Sequence, residues 1–113
     1  MSAGGVYVPF TPEQVASLNA YQESELVHPY TCGSPACPSL NWGDESLPMA
    51  ADAGGLHCTE PGCRYVQSWV HDWAADWSWR KQEDRARKAQ RRSARKTVRD
   101  LRKAMRRLTS PGR

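Results

Sequence analysis

The four cysteines of this 113-residue chain constrain its fold more than any other feature, because they form two copies of one short motif. CGSPAC and CTEPGC are both C-x-x-P-x-C, with proline at the same offset in each. Proline at this offset favours a turn, so the two loops can present paired thiolates to one ion. Zinc binds four soft ligands as a tetrahedron, and two cysteine pairs on separate turns supply them without a large scaffold. We therefore predict a structural zinc site. Its ligands are Cys32, Cys37, Cys58 and Cys63.

The sequence leaves other uses of the thiols open. Two disulfides would need an oxidising compartment, and the first residues show no secretion signal. An iron–sulfur cluster also takes four thiolates, although its usual ligand spacings are tighter. A histidine could replace one thiolate, but we expect His57 to be merely adjacent and His28 and His71 to be packing or surface residues. Four thiolates leave no open coordination position, so we expect the metal to hold the fold and not to catalyse a reaction.

The segment before the first cysteine pair predicts a short helix. Thr11 is suited to the N-cap, Pro12 to the first helical position, and Gln14 lies three residues after the cap. We expect this helix to end near Glu23 and to pack on the metal module.

Three further stretches of the head carry local signals. Residues 6–9 favour an extended segment, and short strand-like stretches, HPYT and GGLH, precede the two cysteine motifs. Residues 38–55 contain many turn-forming residues and predict an exposed loop, anchored by Trp42 and Leu47. Residues 64–67 can complete a hairpin after the second motif. The expected fold class is α+β: a small zinc-ribbon-like head with an N-terminal helix and a long basic C-terminal helix.

That C-terminal helix is expected because no glycine or proline lies between Gly62 and Pro111. The prediction is one helix over residues 67–108. On a helical wheel its first part gathers an apolar face that we expect to pack on the head, formed by Val66, Trp69, Val70, Trp73 and Trp77. Trp79 points away from this face, so it could stack on a base or lie at the rim.

A second apolar stripe follows near the C-terminus of the predicted helix. It consists of Ala94, Val98, Leu101, Met105 and Leu108. The stripe covers only about two heptads, fewer than a secure coiled coil requires. We expect residues beyond about 88 to become ordered on a partner or on a second copy of the chain.

The formal net charge of +4 conceals two regions of opposite sign. Residues 1–79 hold one basic residue against nine acids, a net charge of −8, whereas residues 80–113 hold fifteen against three, a net charge of +12. We therefore predict an acidic zinc-binding head over residues 1–79 and a basic helical tail over residues 80–113. Candidate phosphate-binding residues recur at helical spacings, and we expect them to lie along both flanks of the apolar stripe. They are Arg91, Arg92, Arg95, Lys96, Arg99, Arg102, Lys103, Arg106 and Arg107.

The charge pattern predicts a non-enzymatic protein that binds DNA or RNA through its tail. Arginine forms bidentate bonds to phosphate, and the tail has few of the asparagine or glutamine residues that read adenine, so we expect little sequence specificity. The alternative is an adaptor or assembly protein whose helix docks on an acidic surface of another protein or of another copy. A membrane role is disfavoured because the tail has no aromatic anchor. No nucleophile motif or glycine-rich phosphate loop indicates an enzyme.

The order YVPFTPEQVASLNAYQ, HPYTC, GLHC and CRYVQSWVHDW, over roughly residues 7–73, resembles small cysteine-paired proteins of actinobacterial phages. Those proteins are described as hypothetical or zinc-finger-like. The resemblance implies a protein acting in the cytoplasm of a bacterial host or in a virion, with the same four cysteines as metal ligands. It implies no activity, and it does not include the arginine-rich tail.

Overall fold

A computed structural model describes residues 4–37 and 49–109 of the chain. It combines helices with two small antiparallel sheets, which confirms the α+β class. The strands are β1 (Gly5–Tyr7), β2 (Met49–Asp52), β3 (Gly55–Cys58), β4 (Val66–Gln67) and β5 (Trp69–His71). The helices are α1 (Pro12–Glu23), α2 (Asp72–Ala75) and α3 (Arg80–Thr109).

Helix α1 begins and ends where the sequence predicts. The Gln14 amide donates to Thr11 Oγ1 at 3.1 Å, and the Thr11 amide donates to Gln14 Oε1 at 2.8 Å. This reciprocal pair satisfies two backbone donors that the first turn would otherwise leave free. The capping box and the end at Glu23 are both confirmed.

The three-stranded sheet has the order β2-β3-β4 and contains a strand where a loop was predicted. Residues 49–52 are extended and pair with β3, so the predicted loop over residues 38–55 is wrong at this end. Trp42 and Leu47, its expected anchors, lie outside the described residues. The strand forms without a strong apolar alternation because side chains of α1 hydrogen-bond to the backbone along its free edge. Asn19 exchanges two hydrogen bonds with the backbone of Ala51, and Gln22 Nε2 donates to the Met49 carbonyl at 2.8 Å.

The two strand predictions beside the cysteine motifs differ in outcome. GGLH forms β3, and residues 66–67 complete its hairpin as β4. HPYT has only an isolated bridge at Thr31. Gly55, at the start of β3, has a φ of 139°, and a Cβ there would lie 2.8 Å from the Gln67 carbonyl oxygen. This close approach requires glycine at the position.

Strands β1 and β5 form a separate two-stranded ribbon, so the long helix does not begin at Gln67 as predicted. Val6 faces Val70 across the ribbon on its inner side, whereas Trp69 is 40% exposed on the outer side. Of the five residues predicted to form one helical face, Val70 is buried and Trp73 packs against the core, whereas Val66 and Trp69 are both exposed. The side chains of a strand alternate between its two faces, with a period of two residues. Strand β5 has only three residues, too few for this alternation to be recognised against the helical spacing of the tryptophans.

The core is formed mainly by residues from α1, α2 and the sheets. Its fully buried members are Phe10, Leu18, Met49, Leu56, Val70, Ala74 and Ala75. Ser17 is also fully buried, and its hydroxyl links α1 to the segment before α3. Ser17 Oγ donates to the Ala74 carbonyl at 2.7 Å and accepts from the Trp77 amide at 3.0 Å and from Trp79 Nε1 at 3.1 Å.

Trp79 is buried, with 2% exposure, so the prediction that it stacks on a base or lies at the rim is wrong. Its ring meets Tyr21 edge-on at 5.5 Å between centroids. Trp77, two residues earlier, has a φ of 70°. A right-handed helix does not allow this backbone conformation, and the chain therefore turns here before α3 begins at Arg80.

Helix α3 projects from the head. It has 30 residues, corresponding to about 45 Å at 1.5 Å per residue, and none of them is buried. Every residue from Lys88 to Thr109 is exposed. The longest dimension of the molecule is 71 Å as a result.

We predict that Ser17→Ala destabilises the head. The substitution leaves the buried Trp79 indole N–H and the Trp77 amide without their acceptor, which costs about 1–3 kcal/mol. Urea unfolding followed by tryptophan fluorescence measures the loss. Ser93→Ala, the same substitution on exposed helix α3, serves as the control and should change the free energy of unfolding by less than about 0.5 kcal/mol. Equal stability of Ser17→Ala and the native chain would contradict the role given to this hydroxyl.

Candidate metal centre and basic helix

The four cysteine sulfurs gather at one point, with every pair within 4.8 Å. The Cys32 and Cys63 sulfurs lie 3.7 Å apart, and so do those of Cys37 and Cys58. A tetrahedron with metal–sulfur bonds of about 2.3 Å has edges of about 3.8 Å, so these separations fit a four-thiolate site. A disulfide needs a separation of about 2.05 Å, and none of these four described cysteines is in a disulfide. The four cysteines are therefore positioned to bind a metal ion.

The first cysteine of each motif receives the same backbone hydrogen bond. The Ser34 amide donates to Cys32 Sγ at 3.4 Å, and the Glu60 amide donates to Cys58 Sγ at 3.4 Å. Both donors lie two residues after the sulfur that they contact. These bonds favour the thiolate form, because they place a positive dipole end beside the sulfur.

The second cysteine of each motif closes the same turn. The Cys37 amide donates to the Ser34 carbonyl at 3.2 Å, and the Cys63 amide donates to the Glu60 carbonyl at 3.1 Å. Proline follows Ser34 and Glu60, the position at which its fixed φ suits a β-turn. The repeat in sequence is thus a repeat in structure. The amide donors at Ser34 and Glu60 were not predicted, although the shared proline offset was their signal.

Burial opposes the ionisation of two of the four thiols. Burial raises the pKa of the Cys58 thiol to about 12, and it also raises the pKa of the Cys32 thiol. Hydrogen bonds among the neighbouring thiols add to the increase at Cys58. Four thiolates this close would repel one another, so a bound cation must supply the charge that lets them lose their protons.

The sheet and Tyr65 fix the two turns relative to the core. Cys58 ends β3 opposite the buried Met49 of β2, and its amide donates to the Tyr65 carbonyl at 3.1 Å. The ring of Tyr65 lies against the other turn, since a Cβ on Gly33 would be 3.0 Å from the Tyr65 hydroxyl oxygen. Tyr65 therefore contacts both turns, a role that the sequence analysis missed because no spacing rule identifies it.

The three histidines make other contacts. His57 Nε2 lies 2.7 Å from Asp52 Oδ1, and this hydrogen bond lowers the pKa of the Asp52 carboxyl. His71 stacks on Trp73 with the ring centroids 5.0 Å apart, and His28 is exposed. Among the described residues, the clustered ligand atoms come from cysteines alone.

The nine predicted phosphate-binding residues, from Arg91 to Arg107, are all exposed on α3, but their arrangement differs from the prediction. At about 100° per residue, this continuous helix places them within one sector of about 160°. The apolar stripe occupies an adjacent sector, and small or neutral residues, including Thr97 and Ala104, occupy most of the remainder. The expectation of charge on both flanks of the stripe is wrong: the basic residues follow one flank only.

Comparisons with known proteins add no relative. A scan against family models and searches of curated proteins and of solved structures returned no match. In the described ranges, no helix combines the length and the apolar character needed to cross a bilayer.

We predict that the native chain binds one divalent ion per molecule and that Cys58→Ser abolishes tight binding. A serine hydroxyl does not ionise at neutral pH and cannot replace the thiolate. Native mass spectrometry measures the stoichiometry. The matched control is His57→Gln, which changes the neighbouring residue and should retain the ion because His57 contacts Asp52 instead. A native chain that carries no ion and has two disulfides would contradict this assignment.

Proposed function

We propose that this protein is a non-enzymatic, zinc-binding protein that contacts nucleic acid through α3. The observation that carries the proposal is the complete exposure of residues 88–109, the strongly basic part of α3. Residues 88–109 contain ten basic residues and one acid, a net charge of +9, and each of them is exposed.

Zinc is the ion that the donor set favours. Four thiolates are soft ligands, and tetrahedral sulfur sites are typical of zinc or of iron–sulfur centres. The sulfur separations of 3.7 Å suit a single ion at the centre of a tetrahedron. With four protein ligands the ion would lack an open position, so its role would be to hold the two turns together.

The basic sector of α3 suits a polyanion with regularly spaced charges. Arg91 and Arg107 are 16 residues apart, which corresponds to about 24 Å along the helix axis. Of the nine basic residues, only Lys96 forms an ion pair in the described part of the chain, with Asp100 at 2.8 Å. The other side chains are available to phosphate, and their neutralisation of phosphates would release counterions.

The acidic head would repel the same polyanion, so contact would be confined to the projecting helix. The two acids in the first turns of α3, Glu83 and Asp84, lie beside Arg87 and keep this part of the helix closer to neutral. We expect largely sequence-independent backbone contact, since α3 has few of the asparagine and glutamine side chains that read adenine.

An adaptor role is the second candidate, and the exposed apolar stripe favours it. Leu101 is 57% exposed and Leu108 is 84% exposed, so α3 presents a surface that a protein could cover. Purification with and without nuclease separates the two functions. Nucleic acid retained only when residues 80–113 are present supports the first, and one co-purifying protein supports the adaptor. A phage protein in a bacterial cytoplasm or a virion is the setting that the sequence resemblance supports.

We predict that the protein binds a fluorescently labelled duplex DNA with an affinity that falls steeply as salt increases. Each phosphate contact contributes about 0.9 to the slope of log affinity against log salt. The triple variant Arg99→Gln/Arg102→Gln/Arg106→Gln should reduce the slope by about one for each contact that it removes. Fluorescence anisotropy across a salt series measures the change, and a second duplex of shuffled sequence should give similar affinities.

Arg64→Gln provides the control, because Arg64 is the one basic residue of the head. It should leave the salt slope unchanged. If the protein bound neither duplex DNA nor structured RNA at low salt, nucleic-acid contact would be overturned as the function. Binding that does not depend on salt would overturn it as well.

A further inference from the structure

The apolar stripe of α3 is an unpartnered face. Val98, Leu101, Met105 and Leu108 are 46%, 57%, 61% and 84% exposed. The residues flanking it on the two sides differ in charge. From this asymmetry we propose that the stripe pairs with the same stripe of a second copy, as a parallel two-stranded coiled coil. This pairing does not rest on nucleic-acid binding.

The stripe has the spacing of a heptad repeat, with alternating steps of four and three residues along a continuous helix. Val98 and Met105 occupy a positions, and Ala94, Leu101 and Leu108 occupy d positions. Val98 at an a position, with Leu101 and Leu108 at d positions, is the combination that favours two strands over three or four. The chemistry of the stripe therefore indicates a dimer.

The flanking residues select the partner and its direction. Arg95 and Arg102 occupy e positions, whereas Thr97 and Ala104 occupy the neighbouring g positions. In a parallel dimer each e residue faces a g residue of the other helix, so Arg102 meets Thr97. In an antiparallel dimer e faces e, and Arg95 would meet Arg102 at close range. Like-charge repulsion therefore disfavours the antiparallel arrangement.

A second copy can cover this face without bringing the arginines of the two e flanks into contact. An acidic helix would match the e flank alone, because the g flank carries no charge. A copy of α3 places its own neutral flank against the arginines and its own arginines against the neutral flank. The surface is self-complementary, which is what a twofold interface requires.

Pairing would leave most of the basic sector free. Three of the nine basic residues border the interface: Arg95 and Arg102 at e positions, and Arg91 at the a position that precedes Ala94. The other six point away from the partner helix. The two basic sectors would lie on opposite sides of the dimer, with both heads at one end. Repulsion between the helices opposes pairing, so we expect salt to strengthen it, the reverse of the effect on nucleic-acid binding.

Sedimentation equilibrium of the metal-loaded full chain, freed of nucleic acid, tests the association. At about 1 M salt, where the Debye length is about 3 Å, the native chain should form a dimer more strongly than at low salt. Leu101→Lys should lower the association constant at least about tenfold, because it places a charge in the seam. The matched control Ala89→Lys adds the same charge on the outer face of α3 and should dimerise like the native chain.

A cysteine at the end of the stripe tests the direction. In a parallel dimer, mild oxidation of the Leu108→Cys chain should form a disulfide between position 108 of one copy and position 108 of the other. Peptide mass spectrometry locates this disulfide. In an antiparallel dimer a positions face d positions, so a mixture of Ala94→Cys and Met105→Cys chains would instead cross-link position 94 to position 105. That result would overturn the parallel arrangement. A native chain that stays monomeric at high salt, or an equal loss in Ala89→Lys, would overturn the pairing itself, whereas salt-dependent binding of duplex DNA tests the proposed function separately.

Discussion

The convergence of four cysteine sulfurs within 4.8 Å is the constraint on which the rest of the head depends. The fully buried apolar core is small, and cores of this size stabilise a fold weakly without a cross-link or a metal. A bound ion would join the turn that carries Cys32 and Cys37 to the turn that begins with Cys58, the last residue of β3, and ends with Cys63. The raised pKa values of the Cys32 and Cys58 thiols oppose their ionisation when no metal is bound. We therefore expect folding of the two turns and binding of the ion to be coupled.

The head in turn anchors the basic helix through one buried contact. Trp79 lies between the Ser17 hydroxyl and the Tyr21 ring, and α3 begins at the next residue. The Arg80 guanidinium lies over the Trp77 ring, 4.5 Å from its centroid. These contacts hold the first turn of a helix that has no buried residue beyond it. The acidic and basic regions are thereby kept apart along the length of the molecule, which leaves the basic sector and the apolar stripe both accessible.

The sequence predicted those parts of the structure whose determinants are local. Thr11 and Gln14 cap α1 through residues three positions apart, and the proline offset sets both cysteine turns. Strand β2 was missed because Asn19 and Gln22, distant in sequence, satisfy its edge. The predicted helix begins at Gln67, earlier than α3, because three tryptophans have helical spacing. The turn at Trp77 that precedes α3 depends instead on Ser17, 60 residues away. Tertiary contacts override local periodicity at these positions.

We propose that one zinc ion, bound by four thiolates, holds the head that carries the basic helix. X-ray absorption at the zinc edge of the purified native chain tests it most directly, because the spectrum reports the type and distance of the atoms around the metal. We expect four sulfur neighbours at about 2.3 Å and no nitrogen or oxygen neighbour. A first shell that includes nitrogen or oxygen, or a purified chain without zinc, would contradict it.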